Sequence, residues 1–277
     1  MTWHIVSDSS CDLYSLPEEP RMDFTSIPFN INIGERVYTD DEAMNAADML
    51  RDNETSPEAA CTACPSPQLY FEAFSRPGPV IAFTISAALS GSFNSACLAR
   101  DMILEEEPDK QIAVIDTKGT GPKTVLLIRA CREMIRSGAS FGDVVSALQK
   151  AVSQTNIIFA LASYHNLIKA GRVNRLVGLM AGHLHLWGIG VGDEHGKIAM
   201  RGKAPGEKRM IRFLVDEIKK TGLAGRAIVI CHCLNERAAQ LLRTALLDVF
   251  SDTLVDILPT RGLDSFYAER HGLIVAY

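Results

Sequence analysis

The sequence predicts an α/β protein of two domains, an N-terminal doubly wound, mostly parallel sheet followed by a smaller C-terminal α/β domain. Three observations carry that expectation. Short apolar runs alternate with longer stretches of helical period, the pattern of a parallel sheet covered by helices. The chain has 277 residues, 47% of them hydrophobic, which is enough for two cores and a lined cavity. Near residue 157 the regular alternation gives way to glycine-rich segments, so the chain is divided into 1–157 and 158–277.

In order, Trp3 to Ser7 reads as the first strand, closed by a polar turn of Ser9, Ser10 and Asp12. Ser66 and Pro67 supply an N-cap and first turn for a helix from Gln68 to Ser75. Val80 to Ile85 is a central strand, and a helix from Phe93 to Glu106 is expected to turn Cys97, Leu98, Met102 and Ile103 or Leu104 inward. Gln111 to Asp116 is a further strand. Pro122 then opens a helix that Gly138 stops, and Ser140 precedes a short helix from Phe141 to Gln149.

In the second half, Ile157 to Ala162 is a strand, and Lys169-Ala170-Gly171-Arg172 opens a basic, partly helical segment. Glycines from Gly188 to Gly196 mark strands and turns, with a hairpin at Glu194-His195-Gly196-Lys197. Helices are expected at Lys208 to Lys220 and Glu236 to Phe250, and strands at Ala227 to Cys231, Leu254 to Leu258 and Leu273 to Tyr277.

Composition excludes several classes. Lys and Arg total 28 against 33 Asp and Glu, a net charge of -5 that argues against a general nucleic-acid binder. No run approaches the roughly 18 apolar residues of a membrane span, so no integral membrane segment is expected. The opening Met1 to Asp8 has neither a basic leader nor a long apolar core, so no signal peptide is expected either. Seven cysteines without a disulfide framework suit a reducing interior, hence the cytoplasm.

Two loops could carry chemistry. Leu89-Ser90-Gly91-Ser92 joins a strand to a helix, where free N–H groups and the helix dipole favour an anion. A hydroxyl at Ser90 adds a donor and Gly91 allows close approach, yet local sequence alone favours Ser90 or Ser92 as a helix cap. Thr62-Ala63-Cys64-Pro65-Ser66-Pro67 is the second loop. Its prolines hold Thr62 in a fixed direction, or simply stiffen a connection.

Metal, redox and cofactor chemistry find no support. Cys61 and Cys64 have the C-x-x-C spacing, but Pro65 follows at once and no second pair matches it. Cys231-His232-Cys233 alternate along a strand and so face opposite ways, and His183 and His185 fail similarly. No G-x-S-x-G elbow, phosphate loop or dinucleotide fingerprint occurs.

Taken together and in order, these segments resemble the DegV family of bacterial fatty-acid-binding proteins. Val6 to Leu13 is similar to its opening strand and turn, and Ile27 to Asp40 to its next segment. Thr62 with Pro65-Ser66-Pro67 matches a T-x-x-P-S-P loop, and Ile85 to Ser92 an I-S-S-x-L-S-G-T loop. Val114 to Thr117 and Leu167 to Arg172 fit two further signatures.

The resemblance implies a two-domain DegV-like fold with a long-chain fatty acid between the domains, no catalytic residue, no cofactor and no metal. It implies Thr62 and Ser90 as contacts to the carboxylate, with Gly91, Ser92 and Arg172 beside them. His271 would stand for the family's C-terminal histidine. Asp264, close by in sequence, would oppose a carboxylate unless protonated or turned away. Some members present the fatty acid to a separate kinase. Here Pro205 and Glu207 stand where arginines are expected, which thins the basic surface such a kinase would meet. The alternatives are a divergent paralogue that binds another amphiphile without a kinase, and a hydrolase built on Ser90.

Overall fold

The computed structural model describes residues 2–173, 186–223 and 227–277. Strands β1 (Trp3–Asp8), β2 (Met22–Ile27), β6 (Val80–Thr84) and β7 (Ile112–Asp116) form a parallel sheet in the order β2-β1-β6-β7. Successive side chains of a strand face opposite ways, and both faces here are apolar. Ile5, Ile81 and Phe83 pack on helices Pro122–Arg136 and Phe141–Gln154. Val6, Val80 and Ala82 pack on helices Pro67–Phe74 and Ser92–Glu106. This is the doubly wound arrangement the alternation of elements predicts.

A small antiparallel sheet, absent from the expectation, branches off between β2 and β6. It has the order β4-β3-β5, from β3 (Asn30–Ile33), β4 (Arg36–Thr39) and β5 (Ala60–Ala63). Its strands have four residues each, too few to show a convincing period.

The C-terminal part contains β8 (Ile157–Leu161), β9 (Leu186–Gly192), β10 (Ile198–Pro205), β11 (Ala227–His232), β12 (Leu254–Pro259) and β13 (Leu273–Ala276). They pair in the order β10-β9-β8-β13-β11-β12, antiparallel except for β11 with β12. The part with fewer residues thus carries the larger sheet. The expected hairpin joins β9 to β10. One face packs Ile158, Ile189, Ile230 and Val275 against helices Glu207–Thr221 and Glu236–Leu247. The other presents Ile157, Phe159, Leu161 and Ile274 to Ile31, Met49, Leu50 and Val125 from the N-terminal half. One apolar core therefore runs between the two halves.

Two expectations are corrected. Helix Ser92–Glu106 buries Ala96, Ala99 and Ile103, whereas Leu98 and Met102 are exposed. Small residues face inward because this helix lies close against its neighbour Pro67–Phe74. Helix Phe141–Gln154 runs beyond Gln149, burying Val152. Most of the basic segment that follows Arg172, with His183 and His185, lies outside the described residues.

Candidate ligand-binding cavity

A cavity opens where the second face of the six-stranded sheet meets the loops that follow β6 and β7. Phe29, Ile85, Ile157, Phe159, Leu161 and Ile274 are among the apolar residues of its wall, and its empty space is ≈ 810 Å³, mouth included. An apolar wall set with a few hydroxyls and cations is the composition of a small-molecule site. Glycine helps make the wall: a Cβ on Gly190 of β9 would stand 2.4 Å from Phe159 Cζ, so only glycine lets that ring lie across the strand. The β9–β10 hairpin closes one side, with Ser86 Oγ donating to the Gly196 carbonyl at 2.8 Å and Lys118 Nζ to the Glu194 carbonyl at 2.8 Å.

Thr62 reaches this space because β5 pairs with β3, Thr62 opposite Ile31. Alternation along β5 leaves Cys61 and Ala63 exposed and turns Thr62 inward. Its hydroxyl hydrogen-bonds the Tyr267 hydroxyl at 2.8 Å.

Ser90 ends the turn after β6. Its backbone N–H donates to the Ser86 carbonyl at 3.2 Å, and its Oγ accepts from the Ser92 N–H at 3.3 Å. The turn is held at both ends, by Ile85 N–H on Asp8 Oδ2 (3.0 Å) and Ala87 N–H on Asp116 Oδ1 (3.1 Å). Arg172 Nε donates to the Leu89 carbonyl at 3.1 Å, which places an exposed guanidinium at the rim.

Of the residues singled out from the sequence, Thr62, Ser90 and Arg172 come together on the cavity wall. Gly91, Ser92 and His271 do not line it. Gly91 faces an adjacent open groove. Ser92 is buried beneath the loop, its hydroxyl donating to Asp8 Oδ2 at 2.6 Å and meeting the Tyr70 hydroxyl at 2.7 Å. Ser90 is not the helix's N-cap, which is Gly91; it accepts the Ser92 N–H from one position earlier and lines the cavity as well. His271 is exposed on the turn into β13, where its N–H donates to the Cys233 carbonyl and its own carbonyl accepts from Asn235. Backbone pairing on that turn aims its side chain at solvent.

Sequence reading missed Tyr267 and Thr120, and left the geometry of Asp264 open. Asp264 and Tyr267 share helix Gly262–Ala268, a segment without apolar periodicity long enough to announce it. Three residues apart, they lie on one face. Thr120 Oγ1 donates to Asp264 Oδ1 at 2.6 Å.

Behind this helix lies a buried polar cluster. Asp40 accepts the Gly262 and Leu263 N–H groups at 2.9 and 3.0 Å. Arg261 donates to the Leu13 carbonyl, to Ser26 Oγ at 2.7 Å and to the Asp40 carbonyl. Asp12 Oδ1 accepts the Arg261 N–H at 2.7 Å. Burial pushes the Asp12 carboxyl up to about 7. Burial and then the nearby Asp12 hold Asp264 well above the usual carboxylate range.

Among the described residues no group of three or more His, Cys, Asp or Glu could hold a metal ion, and no helix is long and apolar enough to cross a membrane.

The DegV family model matches residues 2–267. The chain belongs to the DegV family. A DegV domain-containing protein of Streptococcus pneumoniae is 37% identical over 278 residues, covering 100% of this chain and 99% of the relative. Among solved structures, the Streptococcus pneumoniae Fatty Acid Kinase (Fak) B3 protein loaded with linoleic acid is similar with a TM-score of 0.97 and 37% identity, covering 100% of this chain and 99% of that one. A DegV family protein from Eubacterium eligens loaded with heptadecanoic acid gives 0.95 and 32%, covering 99% of each chain. These structural neighbours of the DegV chain described here are fatty-acid-loaded, and they share its α/β fold end to end.

Proposed function

We propose that this protein is a fatty-acid-binding carrier in which Thr62 and Ser90 hold the carboxylate and the apolar cavity buries the acyl chain. The observation that carries the reading is the joining of two hydroxyls, from β5 and from the loop after β6, to one apolar cavity. Each buried methylene contributes roughly 0.8 kcal/mol, so a long tail dominates affinity. The hydroxyls orient the head group and spare a carboxylate from burial without partners. The loaded neighbours support the same reading. Arg172, Lys118 and Lys197 at the wall and rim favour an anion arriving carboxylate first.

Carrying rather than catalysis is the role we assign. The hydrogen bond Ser90 Oγ accepts comes from a backbone N–H, which activates no nucleophile. We set the carrier in the cytoplasm, where free thiols suit a reducing compartment. Presentation of the acid to a fatty acid kinase belongs to this reading. Pro205 ends β10 and Glu207 pairs with Arg237 at 2.7 Å, while Lys203, Lys208 and Arg209 stay exposed beside them as a basic surface for a kinase to meet. A division into domains near residue 157, with the ligand between them, completes the proposal.

Gentle purification, denaturation in organic solvent and mass spectrometry of what is released is expected to yield a stoichiometric fatty acid. Release of buffer components only, with no thermal shift on adding fatty acids, overturns the reading. Ser90→Ala is expected to weaken fatty-acid binding about tenfold, as for a hydrogen bond to a charged group, and to weaken binding of the matching alcohol far less. Equal losses would remove Ser90 from the carboxylate.

A further inference from the structure

We propose that Asp12 and Asp264 form a proton-holding acid pair at the cavity wall, and that uptake of an anionic head group is linked to that proton. The ligand binds while the pair is protonated and leaves as the pair ionises. This deepens the fatty-acid reading and rests on it.

The geometry is specific. Asp264 lines the cavity beside Thr120 and Tyr267. Asp12 and Asp264 are 6% and 3% exposed, and in each one oxygen is engaged while the other, Oδ2, is buried without a partner. The two free oxygens converge over Gly121: a Cβ there would stand 2.5 Å from Asp264 Oδ2 and 2.7 Å from Asp12 Oδ2. Buried acceptors left unpaired are costly. One proton on one carboxyl turns two unsatisfied acceptors into a donor and an acceptor.

Local charge gives the same answer. Asp12, Asp40 and Asp264 face each other across three segments of chain, and Arg261 is the cation set among them. Arg261 is committed to Asp40, Leu13 and Ser26. The other titratable groups facing the pair, Cys11 from the first turn, Tyr14 beyond it and Cys231 from β11, are neutral, their ionisation pushed up first by burial. Of the cations lining the cavity, Lys118 is engaged by the Glu194 carbonyl, while Lys197 and Arg172 are solvent-exposed at the rim, where water screens them from the buried pair. Two ionised carboxylates would therefore stand uncompensated beside an arriving third, which like-charge repulsion in a buried site opposes. The raised ionisation of both acids fits this account.

The test is the pH dependence of cis-parinaric acid binding by fluorescence, between pH 6 and 9, for the wild type and for Asp264→Asn. A neutral amide at 264 keeps the hydrogen bond to Asp12 and cannot ionise. Wild-type affinity is expected to fall, approaching about tenfold per pH unit once the pair loses its proton, while the Asn variant stays nearly flat. Hexadecanol, tested by displacement of the probe, is expected to bind the wild type with little pH dependence. Parallel curves for wild type and variant overturn the proposal.

Absence of binding at every pH in both proteins overturns the fatty-acid reading and the linkage with it, and thermal unfolding without ligand then decides the shared proton separately. An acid whose ionisation is raised by folding stabilises fully below its unfolded value, and that stability is lost as pH rises through its folded value. The wild-type midpoint is expected to fall between pH 6 and 9 more steeply than those of Asp264→Asn and Asp12→Asn. Equal slopes in all three overturn the acid pair.

Discussion

Asp8 and Asp12 leave the same first strand within one turn of each other, both buried, and they serve the cavity in opposite ways. Asp8 spends both oxygens: Oδ1 accepts from Ser10, and Oδ2 from the Ser92 hydroxyl and the Ile85 N–H. Burial still raises its ionisation, against those hydrogen bonds. It thereby ties the start of the Ser90 loop and of the helix behind it to β1. Asp12 accepts the Arg261 N–H with one oxygen and leaves the other facing Asp264. The first carboxylate is a fixed scaffold for the head-group loop. The second belongs to a cluster short of partners, where Arg261 Nε and Asp264 Oδ2 are also unpaired. A fully satisfied network rigidifies, whereas an incomplete one can change its charge.

The largest expected effect tests the Asp12 side. Arg261→Met keeps the stem but strands Asp40 in the interior, and is expected to cost about 3–5 kcal/mol in urea unfolding, as for a broken buried ion pair. A loss below about 1 kcal/mol would show that the cluster is wet and the contrast with Asp8 false.

Asp8→Ala comes next. It leaves the Ile85 N–H buried without a partner while Ser92 keeps Tyr70, so about 2–3 kcal/mol is expected by the same measurement. Fatty-acid affinity is expected to fall with it, because the Ser90 loop loses its anchor. Unchanged affinity would make the loop self-supporting.

The smallest effect concerns the helix that joins the Asp12 side to the head-group site. Tyr267→Phe removes the hydroxyl that meets Thr62, and one hydrogen bond of about 1 kcal/mol predicts a roughly fivefold rise in Kd. The unfolding midpoint is expected to move little. A large stability loss without an affinity change would place Tyr267 in the scaffold instead.

Much of this was legible in the residues. Strands and helices of ordinary length announced themselves through period and punctuation, as with Val80–Thr84, the helix opened at Pro122 and the hairpin before Ile198. The loops carrying Thr62 and Ser90 stood out through prolines, serines and a glycine at definite offsets, but their head-group role came only from the family resemblance, since the local pattern favoured a helix cap. Leu98 and Met102 misled because apolar character was read as burial, whereas close helix packing favoured Ala96 and Ala99. His271 misled because a residue type was matched without the turn that aims it.

Local order along the chain therefore determines the α/β class, the order of elements and the loops that offer hydroxyls, since each depends on residues a few positions apart. The partners of those groups could come only from folding. Thr62 meets Tyr267 across 205 positions, and Asp12 meets the Arg261 N–H across 249. No local pattern encodes such a meeting. Whether a carboxyl is charged, paired or left holding a proton is set by the burial and neighbours that only the assembled structure supplies.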